Sequence, residues 1–220
     1  MSKSVYSLVL SDEVVDAVDR AAYRAGKSRS AYINSVLADA VSYVTPEKRM
    51  NDIFSAVEQL MDGGMFRIMP RPSESAFALR SALQFRYKPV IRYSIELYRS
   101  FGSSFGRLKV SLRTQSDALI TVFGRFIGLW VQLERQYIWK HFPDGISYEL
   151  DSGKFTRAFC LPSDKHELSD DEIAGALSGY IKMFDEIIKL YFLEPDDPDK
   201  AEKLVRQRYE EYISDKMNII

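Results

Sequence analysis

Cysteine and histidine are scarce in this chain. Among 220 residues there is one cysteine, Cys160, and there are two histidines, His141 and His166. A single cysteine excludes an intramolecular disulfide and a structural zinc site built on several thiolates. The histidines show no paired ligand spacing, so we expect neither a metal nor another cofactor. So little cysteine suits a reducing compartment, and we expect the protein to be cytoplasmic.

Long apolar runs are also missing. The longest apolar stretch, Ala118–Val131, is interrupted by Arg125 and is too short to span a bilayer. The apolar run at the N-terminus is too short for a signal peptide. The sequence therefore predicts no membrane partner.

Sequence motifs for catalysis give no support to an enzyme. No glycine-rich phosphate loop follows a predicted strand, and the segment Asp151–Phe155 lacks the glycine spacing of a P-loop. Carboxylates are plentiful, but they form no recognisable catalytic pattern. We therefore predict that the chain is not an enzyme.

The N-terminal segment alternates over Val5–Ser11, with Tyr6, Leu8 and Leu10 on one side. This alternation predicts a β-strand. No second strand pattern follows directly, and one strand cannot satisfy its own backbone N–H and C=O groups. The strand therefore needs a partner from elsewhere.

Two helical patterns follow this strand and are separated by Gly26, a residue typical of helix ends. Ser28 is a good N-cap residue for the second helix. That helix ends at Thr45-Pro46, because the residue before a proline disfavours the α region. We place the domain boundary there, which predicts an N-terminal domain over 1–45 and a C-terminal domain over 46–220.

The segment YSLVLSDEVVDAVDRAAYRAGKSRSAYINSVL thus combines a strand, a helix, a Gly-x-Ser turn and a second helix. In this order it resembles the ribbon-helix-helix family of DNA-binding proteins, the MetJ/Arc class. In that family two chains each contribute one strand to an antiparallel ribbon, which enters the major groove. The resemblance covers Val5–Val44 and implies a homodimer or higher even oligomer that binds double-stranded DNA.

The resemblance also assigns base-facing residues. The positions that alternate out of the core are Val5, Ser7 and Val9, and Lys3, just before the strand, supplements them. Ser7 can hydrogen-bond a base edge, whereas a valine can contact only a thymine methyl group. Family members usually carry more donors at these positions, so this ribbon is unusually apolar.

A second contact is implied at the turn between the helices. Ser28 would cap the second helix, whose N-terminal N–H groups can bind a DNA phosphate with help from Lys27 and Arg29. The alternative for these two cations is an ordinary solvated turn.

Beyond residue 45 the patterns predict four alternating segments, a long helix capped by Ser116, a hairpin around Asp151-Ser152-Gly153 and a helix opened by a capping box over Ser169–Glu172. The alternating segments are MFRIM, FALRSALQFRY, VIRYSIELY and RLKVSLR. The predicted fold class is therefore α+β, with an N-terminal ribbon-helix-helix followed by an antiparallel sheet packed with several helices.

Positive charge is concentrated in this predicted sheet, although the net charge of the whole chain is -1. The alternation predicts a secondary basic surface opposite the apolar face, formed by Arg80, Arg86, Arg92, Lys109 and Arg113. Such a surface can bind an anion, a nucleic acid or an acidic partner. It can equally be a solvated face, or be neutralised by the acidic C-terminal helices of the same chain.

Two functions fit these patterns. The first is a dimeric DNA-binding transcriptional regulator, most simply a repressor, whose C-terminal domain oligomerises or binds a protein or small-molecule effector. The alternative is a non-enzymatic interaction protein, such as an antitoxin or a plasmid or phage accessory factor, in which the ribbon-helix-helix mainly dimerises.

Overall fold

The chain, seen in a computed structural model, is described over residues 5–83, 89–164, 167–194, 197–214 and 220. It divides into two compact units, an N-terminal unit (Met1–Arg49) and a C-terminal unit (Met50–Ile220). The described helices are α1 (Asp12–Arg24), α2 (Arg29–Ala40), α3 (Pro46–Met61), α4 (Asp117–Tyr137), α5 (Asp170–Tyr191) and α6 (Pro198–Ser214). The described strands are β1 (Arg67–Ile68), β2 (Ala76–Ala82), β3 (Val90–Leu97), β4 (Ser104–Arg113), β5 (Tyr148–Asp151) and β6 (Lys154–Cys160). The α+β class is confirmed.

The turn between α1 and α2 has the geometry that the sequence predicts. The N–H of Lys27 donates to the carbonyl of Ala22 (2.9 Å), and the N–H of Gly26 donates to the carbonyl of Tyr23 (3.1 Å). This Schellman pairing needs a left-handed residue at the helix end, and Gly26 supplies it with φ +64. The hydroxyl of Ser28 then accepts from the N–H of Ala31 (3.3 Å), which confirms Ser28 as the cap of α2.

The predicted strand over Val5–Ser11 is wrong for the chain taken alone. Residues 5–11 form no strand and lead directly into α1. The physical reason is that strand hydrogen bonds need a second strand, and the described part of the N-terminal unit contains none. The two helices and the turn between them are observed, while the ribbon is not.

The C-terminal unit is built on a sheet in the order β1-β2-β3-β4-β6-β5, with every neighbouring pair antiparallel. Residues on β3 alternate between its two faces as predicted, and the buried ones are Ile91, Tyr93, Ile95 and Leu97. The segment MFRIM gives only the two-residue β1. The hairpin predicted around Asp151-Ser152-Gly153 is present as β5–β6.

The inner face of the sheet is covered by helices through aromatic contacts. Phe184 on α5 stacks on Phe155 of β6 and meets Tyr93 of β3 edge-on. Trp130 on α4 contacts Phe184 in turn, with ring centroids 4.7 Å apart. The long helix predicted from its Ser116 cap is α4, and together with α5 it covers this face. The opposite face, here called the outer face, carries most of the polar residues of the strands.

One ion pair is completely enclosed in this core. The Nε of Arg157 on β6 lies 3.0 Å from both carboxylate oxygens of Glu134 on α4, and both side chains are inaccessible to solvent. Burial alone would lower the pKa of Arg157, but Glu134 raises it, and the net shift is upward. The hydroxyl of Tyr180 donates to the same carboxylate (2.8 Å).

None of the helices in the described part of the chain has both the length and the apolar composition needed to cross a membrane.

Candidate nucleic-acid interface

The segment before α1 carries the predicted base-facing residues, and all that are described are exposed. Val5 is 99% exposed and Val9 is 102% exposed, with Ser7 also accessible between them. Lys3 lies outside the described residues. The apolar residues of the other alternation, Tyr6, Leu8 and Leu10, are exposed as well. In a single chain this segment therefore has no buried side.

The N-terminal unit has almost no core of its own. Among its described residues the only buried hydrophobic side chains are Ala22 on α1 and Ala38 on α2. The exposed large hydrophobic residues of the same unit are Val5, Tyr6, Leu8, Val9, Leu10, Val14, Tyr23, Val36, Leu37, Val41, Tyr43 and Val44. Two buried alanines cannot offset the conformational entropy of ordering two helices. This unit is therefore incomplete as a folding unit in one chain.

The predicted phosphate-contacting cations lie next to each other at the turn but have different surroundings. Lys27 is exposed, and Ser28 caps α2. Arg29 instead forms a two-pronged ion pair with Asp19 of α1, in which its Nε lies 2.6 Å from Asp19 Oδ1. The hydrogen bonds from Arg29 lower the pKa of Asp19, so that carboxylate stays ionised at neutral pH. Arg29 is thus already held by a competing anion.

The basic surface is the second group of predicted site residues, and the sheet register brings its members together. Arg80 on β2 lies directly opposite Arg92 on β3. Arg67 on β1, which the sequence analysis did not include, lies directly opposite Arg80. These three residues form the arginine row, which crosses three neighbouring strands of the outer face.

The adjacent strand extends this row. Arg92 lies directly opposite Ser111 on β4, and Lys109 and Arg113 are the next residues on either side of Ser111 that share its face. Diagonal neighbours in a sheet lie about 7–8 Å apart, within reach of long side chains. Arg86 lies outside the described residues. We call the five residues Arg67, Arg80, Arg92, Lys109 and Arg113 the cationic cluster.

The acidic C-terminal helices do not neutralise these residues. In the described part of the chain, the ion pairs observed for acids of α5 and α6 are with cations of the same two helices, as in Arg208–Glu186 (2.6 Å) and Arg206–Glu202 (2.7 Å). On the outer face itself, Glu96 pairs with Arg107 (2.6 Å), which is not a member of the cluster. Among the described residues, no acidic side chain forms an ion pair with any member of the cationic cluster.

The described residues contain no arrangement that resembles a catalytic or metal centre. Gly102–Gly106 has the spacing G-x-S-x-G, but Ser104 lies where a loop enters β4, and its hydroxyl donates to the carbonyl of Phe159 (3.0 Å). A nucleophile elbow instead requires a strand-to-helix turn. Burial raises the pKa of the Cys160 thiol, which disfavours its reactive thiolate form. No group of three metal-ligating side chains occurs within the same described ranges.

The chain matches no protein-family model, no curated protein and no solved structure.

Proposed function

We propose that this chain is a homodimeric DNA-binding transcriptional regulator, most simply a cytoplasmic repressor. Two copies pair their 5–10 segments into an antiparallel ribbon, and α1 and α2 of both copies pack around a shared core. The ribbon enters the major groove of double-stranded DNA. The C-terminal unit then oligomerises or binds a protein or small-molecule effector.

The observation that carries this proposal is the exposed apolar surface of the N-terminal unit. A helix pair with a correctly formed turn and cap, but with only Ala22 and Ala38 buried, needs an additional apolar layer. A second copy supplies that layer and, at the same time, a partner strand for Val5–Leu10. One assembly therefore satisfies both the unpaired backbone and the exposed side chains.

The alternation of the ribbon divides its residues between two tasks. In the proposed dimer Tyr6, Leu8 and Leu10 face the shared core, while Val5, Ser7 and Val9 face the bases. A hydroxyl can exchange a hydrogen bond with a base, and valine can pack on thymine methyl groups. Each half-site then provides modest discrimination, at the low end of about 1–3 kcal/mol per good base contact.

One observation favours the alternative, in which the N-terminal motif only dimerises. Arg29, a predicted phosphate ligand, is paired with Asp19, and two of the three base-facing residues are valines. A ribbon with these properties can hold two chains together without selecting DNA. That assembly would be a non-enzymatic interaction protein of the antitoxin or accessory-factor kind.

Selection of DNA by the full-length protein from a pool of random duplexes separates the two functions. We expect enrichment of an inverted repeat, because the two-fold symmetry of the dimer imposes two-fold symmetry on its site. The Ser7→Ala variant should change the enriched bases, since it removes the only hydrogen-bonding side chain among the described base-facing positions. A dimer that enriches no sequence and shows no duplex binding at low salt would support the alternative.

A further inference from the structure

The cationic cluster is a charged surface of the C-terminal unit that the N-terminal motif does not explain. Its arginine row places like charges directly opposite one another on β1, β2 and β3. Like charges at directly opposed positions destabilise a sheet. The three arginines lie in line, and no described acidic side chain forms an ion pair with any of them. Such a surface is complementary to an external polyanion.

The neighbours of the cluster are small. The outer-face residues beside it include the exposed Ala82 on β2, Ser94 on β3 and Ser111 on β4. Small side chains let a backbone approach the sheet closely, and the serine hydroxyls can donate to phosphate oxygens. Arg80 and Arg92 are half-buried.

The composition of the same face favours duplex over single-stranded nucleic acid. Proteins that bind single strands combine cations with aromatic side chains on which bases stack. The outer-face positions of β2, β3 and β4 hold alanine, valine, serine, glutamate, arginine and lysine, and no aromatic residue. These described positions therefore offer contacts to phosphates and none to unstacked bases.

We propose that the cationic cluster binds the phosphate backbone of duplex DNA, so that the C-terminal unit supplies sequence-independent affinity. This inference extends the proposed function, because it assigns part of the same DNA binding to a second surface. Two linked contacts on one DNA molecule raise its affinity through effective concentration. The apolar ribbon could then select a site although each half-site contributes little.

The test compares full-length variants by the salt dependence of their binding to a short random-sequence duplex. The Arg80→Gln/Arg92→Gln variant should reduce the slope of log Kobs against log salt by about 1.8, since each lost phosphate contact accounts for about 0.9. The control Lys140→Gln/Lys203→Gln removes the same charge from exposed helical positions and should leave the slope unchanged. Without DNA, the arginine variant should unfold at the same temperature as the wild type or higher, because it relieves repulsion.

A third variant, Lys27→Gln, separates this inference from the proposed function. If only Lys27→Gln reduces the slope, the cluster does not bind phosphate and the inference is overturned, while the N-terminal contact remains supported. If only the arginine variant reduces it, the inference is supported and the proposed N-terminal contact is not. Equal reductions in the arginine variant and its control, or no duplex binding at low salt, overturn the inference. The inference is also overturned if the wild type binds anionic vesicles and the arginine variant loses that binding while its slope for duplex DNA stays unchanged.

Discussion

Arg29 shows how one side chain can serve either the fold or a ligand. Its guanidinium group is held by Asp19, and this pair ties the start of α2 to α1. Both side chains are about half exposed, so the pair contributes little to stability and is screened by salt. A DNA phosphate could therefore compete with Asp19 for Arg29. Asp19 would then reduce the affinity for DNA while keeping Arg29 at the turn.

Replacing Asp19 by asparagine tests this competition. The Asp19→Asn variant should bind duplex DNA more tightly and increase the steepness of its salt dependence by about 0.9, because Arg29 gains a phosphate contact. The matched control is Asp16→Asn, which changes the same charge on the same helix without removing an ion pair. Salt-titrated binding measures both variants. An equal gain in DNA affinity for the two variants would show that only the net charge of the protein matters.

Among the secondary-structure elements, helix α4 and strand β6 are joined by a buried cluster of polar contacts. Besides its pair with Glu134, Arg157 donates from Nη1 to the carbonyl of Ala158 (3.1 Å) and from Nη2 to the main-chain oxygen of Ile220 (2.5 Å). Its guanidinium also lies 4.5 Å from the ring centroid of Tyr180 on α5. Buried ion pairs rarely add net stability, but they penalise any packing that leaves one partner alone. This pair therefore fixes which faces of α4 and β6 meet.

Single and double replacements of the pair should show strong coupling. Glu134→Leu leaves Arg157 buried without its counter-ion and should lower the free energy of unfolding by about 3–5 kcal/mol. Arg157→Met should be similarly severe. The double variant should lose clearly less than the sum of the two, because no buried charge remains. Denaturant unfolding measures this cycle, and additivity within about 0.5 kcal/mol would contradict it.

Much of the element structure could be predicted from short-range patterns. Gly26 and Ser28 mark the turn between α1 and α2, and the capping box over Ser169–Glu172 marks the start of α5, because these signals act over three or four residues. The alternation in β3 is strong enough to identify its buried face. By contrast, the pairing of Arg157 with Glu134 joins residues far apart in sequence, and no local pattern indicates it.

The candidate site was only partly predictable for the same reason. Alternation placed Arg80, Arg92, Lys109 and Arg113 on one face, as the structure has them. It could not show that Arg67 belongs to the same row, because that depends on the register between β1 and β2. The prediction of a strand over Val5–Ser11 was wrong for another reason. The described part of the N-terminal unit has no strand to pair with it, and in the proposed dimer the partner strand comes from a second molecule.

The two units of the molecule differ in whether each buries an apolar core within one chain. The C-terminal unit buries a large aromatic core between its sheet and helices. Among its described residues, the N-terminal unit exposes most of its large apolar side chains and buries only two apolar residues, both alanines. A chain that is self-sufficient in one unit and incomplete in the other is expected to associate through the incomplete one. Both proposed functions depend on association through this unit.

Two neighbouring substitutions in the 5–10 segment test whether two chains associate through the N-terminal unit. In one chain Leu8 and Val9 are both exposed, so neither change to aspartate should affect assembly if the chain stays monomeric. In the proposed ribbon, Leu8→Asp buries a charge in the shared core, whereas Val9→Asp places one in the groove. Sedimentation at micromolar concentration should give twice the chain mass of 25.3 kDa for the wild type and for Val9→Asp. Leu8→Asp should lose the dimer, and a well-folded monomer in the wild type would contradict the account.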